Sequence, residues 1–391
     1  MKSSDPSTIS SSEQQSPVAP HEQLDSRWNR AVQRRSFLRG VGMAGVAALP
    51  ASALWASQAS ASGDDLTDGD VAILQFLAAA ELIESDLWIQ YTELGGVPSD
   101  SESAGVPSGG GNAPYVKALQ KIDGDMGQYI TDNTDDEVSH AAFLNAYLAA
   151  HGQPTVNLDA FRTLPSSKAT GARDIGRLTN LMELNVDTSW YTRYRSTSNP
   201  DLGGSFAQLL NISHQPAIPR NNADAGSEKR IQAIANTAAF HFAMIEQGGS
   251  SLYTTLLQQV SSLEVLRIVA SIGGVEVAHF SLWHDKVSNA LAPPAAPVTD
   301  PVTGLTFPDL SGNHDELVET NLILPEPTAF INSGLPLCSV IRPSSTPNSG
   351  AVAAVKALTA DNLFDGQSPQ FFQAAMALAV KADAARRVVH S

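Results

Sequence analysis

The chain has 391 residues and a formal charge of −16, an acidity that argues against a nucleic-acid partner, whose phosphates call for clustered Lys and Arg. A hydrophobic share of 42% with only 16% charged residues marks a folding chain with enough apolar material for a sizeable core. The single cysteine, Cys338, excludes disulfides within the chain, paired-Cys zinc sites and cysteine-held clusters, so any chemistry must rest on oxygen and imidazole.

Residues 1–33 are polar, rich in Ser and Gln, and show no helical or strand period. Arg34 and Arg35 then precede Ser36, Phe37 and Leu38, a weakly apolar stretch runs to Trp55, and Ala59-Ser60-Ala61 offers a small-x-small cleavage site. The order charged, apolar, small is that of an export signal. The adjacent arginines resemble the twin-arginine type, which is read by a receptor. The apolar stretch is too short and too rich in Gly and Ala for a stable membrane span. Residues 1–61 are therefore expected to be a cleaved signal, and the mature protein to be periplasmic or extracellular. The resemblance also implies export in the folded state, often with a metal or cofactor already inserted.

In the mature part, Ile73, Leu74, Leu77, Ile83, Leu87, Trp88 and Tyr91 recur at helical spacing over 70–94. Asp68 and Asp70 suit the N-terminal end of that helix, and Gly95 and Gly96 its termination. Residues 96–114 read as a Ser/Gly/Pro loop. A second helical region spans 115–150 with an interruption expected near Asn133. Residues 151–172 read as loop, and Ile175, Leu178, Met182, Val186 and Trp190 place a third helix over 173–195. Two long helices follow at 229–259 and 262–290. Five prolines between Pro293 and Pro308 forbid a long helix after that, so 291–350 reads as ordered coil. A last helix begins with Ser368 as N-cap and Pro369 at its first position. The fold class is all-α: a four-helix bundle over 62–290, a helical insertion at about 151–229, and a coil-rich extension over 291–391.

Two matching motifs carry the chemistry. Glu137 and His140 lie three residues apart on one predicted helix, Glu276 and His279 on another, and such pairs share a helix face. The other two long helices each carry a Glu in an apolar setting: Glu81, followed seven residues on by Trp88, and Glu246, followed seven residues on by Tyr253. The chain order is Glu helix, Glu-x-x-His helix, Glu helix, Glu-x-x-His helix, as an internal duplication would produce. Four carboxylates meeting in an apolar interior would repel one another and resist ionising. Two divalent cations would neutralise all four, and two imidazoles complete the set. Carboxylate and imidazole suit iron or manganese without separating them.

The pattern matches the dinuclear site of ferritin-like bundles. Residues 70–76 together with Glu81 and Glu84, the Asp136-Glu137-x-x-His140 motif and the Val275-Glu276-x-x-His279 motif resemble those of exported ferritin-like proteins, a group that includes plant desiccation-related proteins. The resemblance covers about 68–150 and 230–290. It implies two iron or manganese ions held by Glu81, Glu137, His140, Glu246, Glu276 and His279. Glu84, one turn from Glu81, is an alternative or bridging ligand on the first helix, and Glu183 an alternative to Glu246. In relatives an acid before each Glu orients a ligand histidine; Asp136 fits that place and Val275 does not, so the second motif is expected to be less completely braced. His241 and His284 fall on other faces of their helices and read as packing or surface residues, and Trp88, Tyr91, Tyr253 and Trp283 as core.

The resemblance implies peroxide or dioxygen redox chemistry, catalase-like or oxidase-like; peroxide disproportionation fits export best because it needs no outside electron donor. The alternative is a non-catalytic stress or desiccation-related protein acting by structural protection or metal sequestration. Long insertions argue against a storage shell, while a homo-oligomer stays open.

Overall fold

The computed structural model describes residues 66–98, 105–196, 206–319, 324–340 and 349–388. The expected signal at 1–61 lies outside them. Among the described residues eight helices carry the fold, with two small two-stranded ribbons.

Helix α1, Asp68–Gly95, starts from a capping box in which Asp70 N–H donates to the Thr67 hydroxyl at 3.1 Å and Asp70 accepts from Thr67 in return. The buried Asp70 carboxylate also accepts from the Ser261 and Ser262 N–H groups, tying this helix start to a turn far along the chain. Helix α2, Ala113–Ile122, and helix α3, Met126–Ala150, divide the second helical region at residues 123–125. The interruption expected near Asn133 is therefore misplaced: Asp123 adopts extended backbone and ends α2, whereas Asn133 lies inside α3 with its side chain turned inward.

The helix expected over 173–195 does not form. This stretch holds a strand β1, Leu184–Val186, and a single helical turn α4, Trp190–Arg193. Of the residues expected in helical register, Leu178, Val186 and Trp190 are buried, but Met182 is half-buried and Ile175 is exposed. Leu181 and Leu184 are buried out of that register, and the segment bonds to α1 through residues 177–179 instead. Its backbone is satisfied from outside: the Asp86 carboxylate accepts from Leu178 N–H and Thr179 N–H at 2.9 and 3.0 Å. A side chain on α1 supplies what a helical turn would have supplied. Strand β2, Ile212–Gln215, pairs antiparallel with β1.

Helices α5, Glu228–Leu257, and α6, Leu263–Ser288, match the expected pair. The segment Leu263–Leu291 is apolar and long enough to cross a membrane by length and composition alone; here it packs as a bundle helix with buried Glu276 and His279. Contacts between residues 92 and 134, 91 and 241, and 250 and 276 make α1 antiparallel to α3 and to α5, and α5 antiparallel to α6. Helices α3 and α5 thus run the same way. The chain must return along the whole bundle between them, about 38 Å for 25 residues, and residues 151–227 make that crossing.

Beyond α6, strands β3, Val298–Thr299, and β4, Thr306–Phe307, pair within the Pro-rich coil. Helix α7, Ala351–Ala360, was not legible in the sequence; its first N–H groups are taken by the Asp383 carboxylate of helix α8, Pro369–Ala384. The Ser368 cap and Pro369 stand where expected.

The bundle core falls into two apolar blocks. One joins Ile83, Leu87, Trp88, Ile234, Phe242 and Trp283; the other joins Ile73, Leu77, Leu144, Leu252, Val269 and Ile272. Between them on every long helix lies one polar layer.

Candidate metal centre

That layer is built from Glu81 on α1, Glu137 and His140 on α3, Glu246 on α5, and Glu276 and His279 on α6. The four carboxylates are fully buried, and the histidines are 8% and 7% exposed. Two overlapping donor groups converge, Glu81 with Glu137, His140 and Glu276, and Glu137 with Glu246, Glu276 and His279, the donor atoms of each within 4.8 Å of one another. Glu137 and Glu276 belong to both. Glu84, whose residue surface is partly exposed but whose carboxyl is enclosed beside Glu81, Glu137 and Glu246, stands outside both groups, and Glu183 lies elsewhere, 3.4 Å from Arg220 in an ion pair.

Both histidines turn Nδ1 inward. His140 Nδ1 lies 3.4, 3.3 and 3.7 Å from Glu81, Glu137 and Glu276, and His279 Nδ1 lies 3.1 and 3.2 Å from Glu137 and Glu246. On its far side His279 Nε2 meets Asp136 at 3.0 Å. The acid of the first motif thus braces the histidine of the second, so the expectation that the second motif would be less completely braced is reversed: His279 has the carboxylate behind it.

Two residues complete the layer in ways the sequence did not show. Asn133 donates to Glu137 Oε1 and Glu246 Oε1 at 3.0 and 3.1 Å, and accepts from Trp283 Nε1 at 2.7 Å. Its place four residues before Glu137, on the same helix face, was the available signal. The Tyr253 hydroxyl donates to Glu81 Oε1.

The electrostatics are those of crowded acids kept from water. Burial, then the charge of Glu137, pushes the Glu81 carboxyl up to about 8. Burial and the neighbouring carboxylates raise Glu276 and Glu84 well above the usual range, and burial raises Glu246. Glu137 moves the other way: burial works against its charge, but hydrogen bonds from His140 and His279 outweigh it and lower its pKa. Burial opposes charge on His140 too, yet Glu137 and Glu81 push it up to about 10, and Glu246, Asp136 and Glu137 raise His279.

Three observations fit this layer to metal. Glu276 Oε1 and Oε2 and Glu81 Oε2 are buried without hydrogen-bond partners among the described residues, an arrangement that costs free energy unless a cation satisfies them. Next, Gly249 on α5 makes room for Glu276, since a Cβ there would stand 2.1 Å from Glu276 Oε2. Finally, oxygen with imidazole is a donor set for iron, manganese or zinc.

The remaining histidines do not join. His241 is fully buried, accepts from or donates to the Tyr91 hydroxyl at 2.7 Å, and is held by burial near 3. His284 is buried against Tyr191 and Trp190. Both are packing residues, neither a surface one.

No curated protein and no solved structure matches the chain. A family model for the ferritin-like domain matches residues 69–289, the span that contains all four long helices and the whole polar layer. By that match and by its architecture, the chain belongs to the ferritin-like domain family.

Proposed function

We propose that this is an exported protein whose bundle holds a dinuclear iron or manganese centre and uses it on peroxide or dioxygen. The observation that carries the reading is the pair of donor groups sharing Glu137 and Glu276, an arrangement suited to two adjacent cations. Export rests on the signal pattern in residues 1–61, and a periplasmic or extracellular location follows from it.

In this reading Glu81, Glu137, His140 and Glu276 would hold one ion, and Glu137, Glu246, Glu276 and His279 the other. Two such ions, when bound, would supply redox chemistry on a small oxidant. The chain's own groups hold the donors in place and manage protons. Tyr253 keeps a proton at Glu81 Oε1, and Asp136 fixes the His279 ring so that Nδ1 faces the donors. The aromatic block of Trp88, Phe242 and Trp283 keeps water from the inner side. Peroxide disproportionation is the reaction that needs no further electron donor, and peroxide is therefore the first substrate to test.

A second reading is metal sequestration without turnover, favoured by the near-complete burial of all six donors. The experiment is metal analysis of the folded protein beside a His140→Ala/His279→Ala double variant, followed by peroxide decomposition. About two iron or manganese ions per chain, lost in the variant, together with oxygen release from peroxide, supports the enzyme. Metal without turnover leaves sequestration, and no metal after metal-replete expression defeats both.

A further inference from the structure

The two halves of the layer supply matching donors but unequal support. Asp136 directly precedes Glu137, and the residue in the same place before Glu276 is Val275. Asn133 stands four residues before Glu137, and its counterpart before Glu276 is Ile272. The asymmetry falls on one side of the centre. In the group of Glu137, Glu246, Glu276 and His279, the His279 ring is fixed from behind by Asp136. Asn133 bonds both Glu137 and Glu246 and is itself held by Trp283.

The other group is looser. Among the described residues every ion pair of His140 is made by Nδ1, and the residue that stands in the second motif where Asp136 stands in the first, Val275, has no polar atom in its side chain. Tyr253 steadies only one oxygen of Glu81 and leaves Oε2 without a hydrogen-bond partner.

Donors fixed in advance lose less freedom on binding, and a carboxylate behind an imidazole makes the imidazole a better ligand. We infer that the two metal positions are inequivalent: the position at His279 fills first and holds tightly, and the position at His140 fills second and exchanges. This rests on reading the layer as a dinuclear centre. It adds that a singly loaded form accumulates when metal is scarce, so that Asp136 and Asn133 are positioning residues that set the loading order.

The test is a titration of the metal-free full chain with manganese(II), followed by calorimetry and native mass spectrometry. Two binding events are expected, with dissociation constants at least roughly 10-fold apart. His140→Ala should remove the weaker event and His279→Ala the tighter one. Asp136→Asn should weaken the tighter event by roughly 10–100-fold, and since Asp136 is half-exposed the fold should tolerate it. Val275→Asp restores the missing brace and should tighten the weaker event while leaving the tighter one unchanged, a gain that a merely structural role does not produce. Two equal events, or Asp136→Asn acting on the event lost in His140→Ala, would overturn the order. No bound manganese at all in folded protein would remove the dinuclear reading and the loading order with it, a result distinct from equal binding.

Discussion

Glu276 has both carboxylate oxygens buried without a hydrogen-bond partner among the described residues, and only the missing side chain of Gly249 leaves space for it. In Gly249→Ala the new methyl meets the mobile end of Glu276, not backbone, so the carboxylate should swing aside while the helix stays. The expected result is a loss of metal affinity of roughly 10-fold or more with an unchanged circular dichroism spectrum; unaltered binding would show that Glu276 is not a ligand. Protonation gives a second test. Glu81, raised from 4.5 to about 8, and His140, raised from 6.5 to about 10, favour their protonated forms in the metal-free fold. Their contribution to stability is complete below their ordinary values and is lost as pH rises through the raised ones. Metal-free protein should therefore melt at lower temperature at about pH 9 than at about pH 6, and metal should abolish most of that difference. Metal must also displace those protons, so calorimetry in buffers of different ionisation enthalpy should record net proton release near neutrality.

Among elements, the crossover between α3 and α5 owes its path to α1. Asp86 accepts from Leu178 and Thr179 N–H and pairs with Arg162 at 2.6 Å, and Glu93 pairs with the buried Arg177 at 2.6 Å. Asp86→Ala leaves two buried N–H groups without an acceptor and should cost about 3 kcal/mol, read as a lower urea midpoint with unchanged slope. The crossover also touches the loop before α2 at a glycine pair: Gly171 has φ +100°, and a Cβ there would come 2.4 Å from the Gly111 carbonyl carbon. This is why a segment with helically spaced apolar residues is not a helix. Local periodicity did not foresee even the burial, since Ile175 is exposed while Leu181 and Leu184 are buried, because the backbone partner is a carboxylate some ninety residues away in sequence.

For the whole molecule, a ligand that binds only the folded state stabilises it by mass action, by about 2.7 kcal/mol at a hundredfold excess over the dissociation constant. Loading with manganese or iron should raise the melting temperature by roughly 5–10 °C, reversed by a chelator; an unchanged transition would argue against a metal site. Three of the four long helices, and the six Glu and His that cluster in the polar layer, were legible because each is a local signal: a period near 3.6, a cap, or a Glu-x-x-His spacing that shares a helix face. Helix α3 was not, since its expected break near Asn133 falls at residues 123–125. The roles of Asn133 and Tyr253 were not, because each acts on a carboxylate of another helix, Glu246 or Glu81. Glu183 was separated from the polar layer in the same way, since the crossover carries it to Arg220 instead. Sequence alone determined which residues could be ligands, since helix faces follow from spacing. Only the tertiary structure decided which converge and which are braced, because those depend on how antiparallel helices are turned toward one another across a shared core.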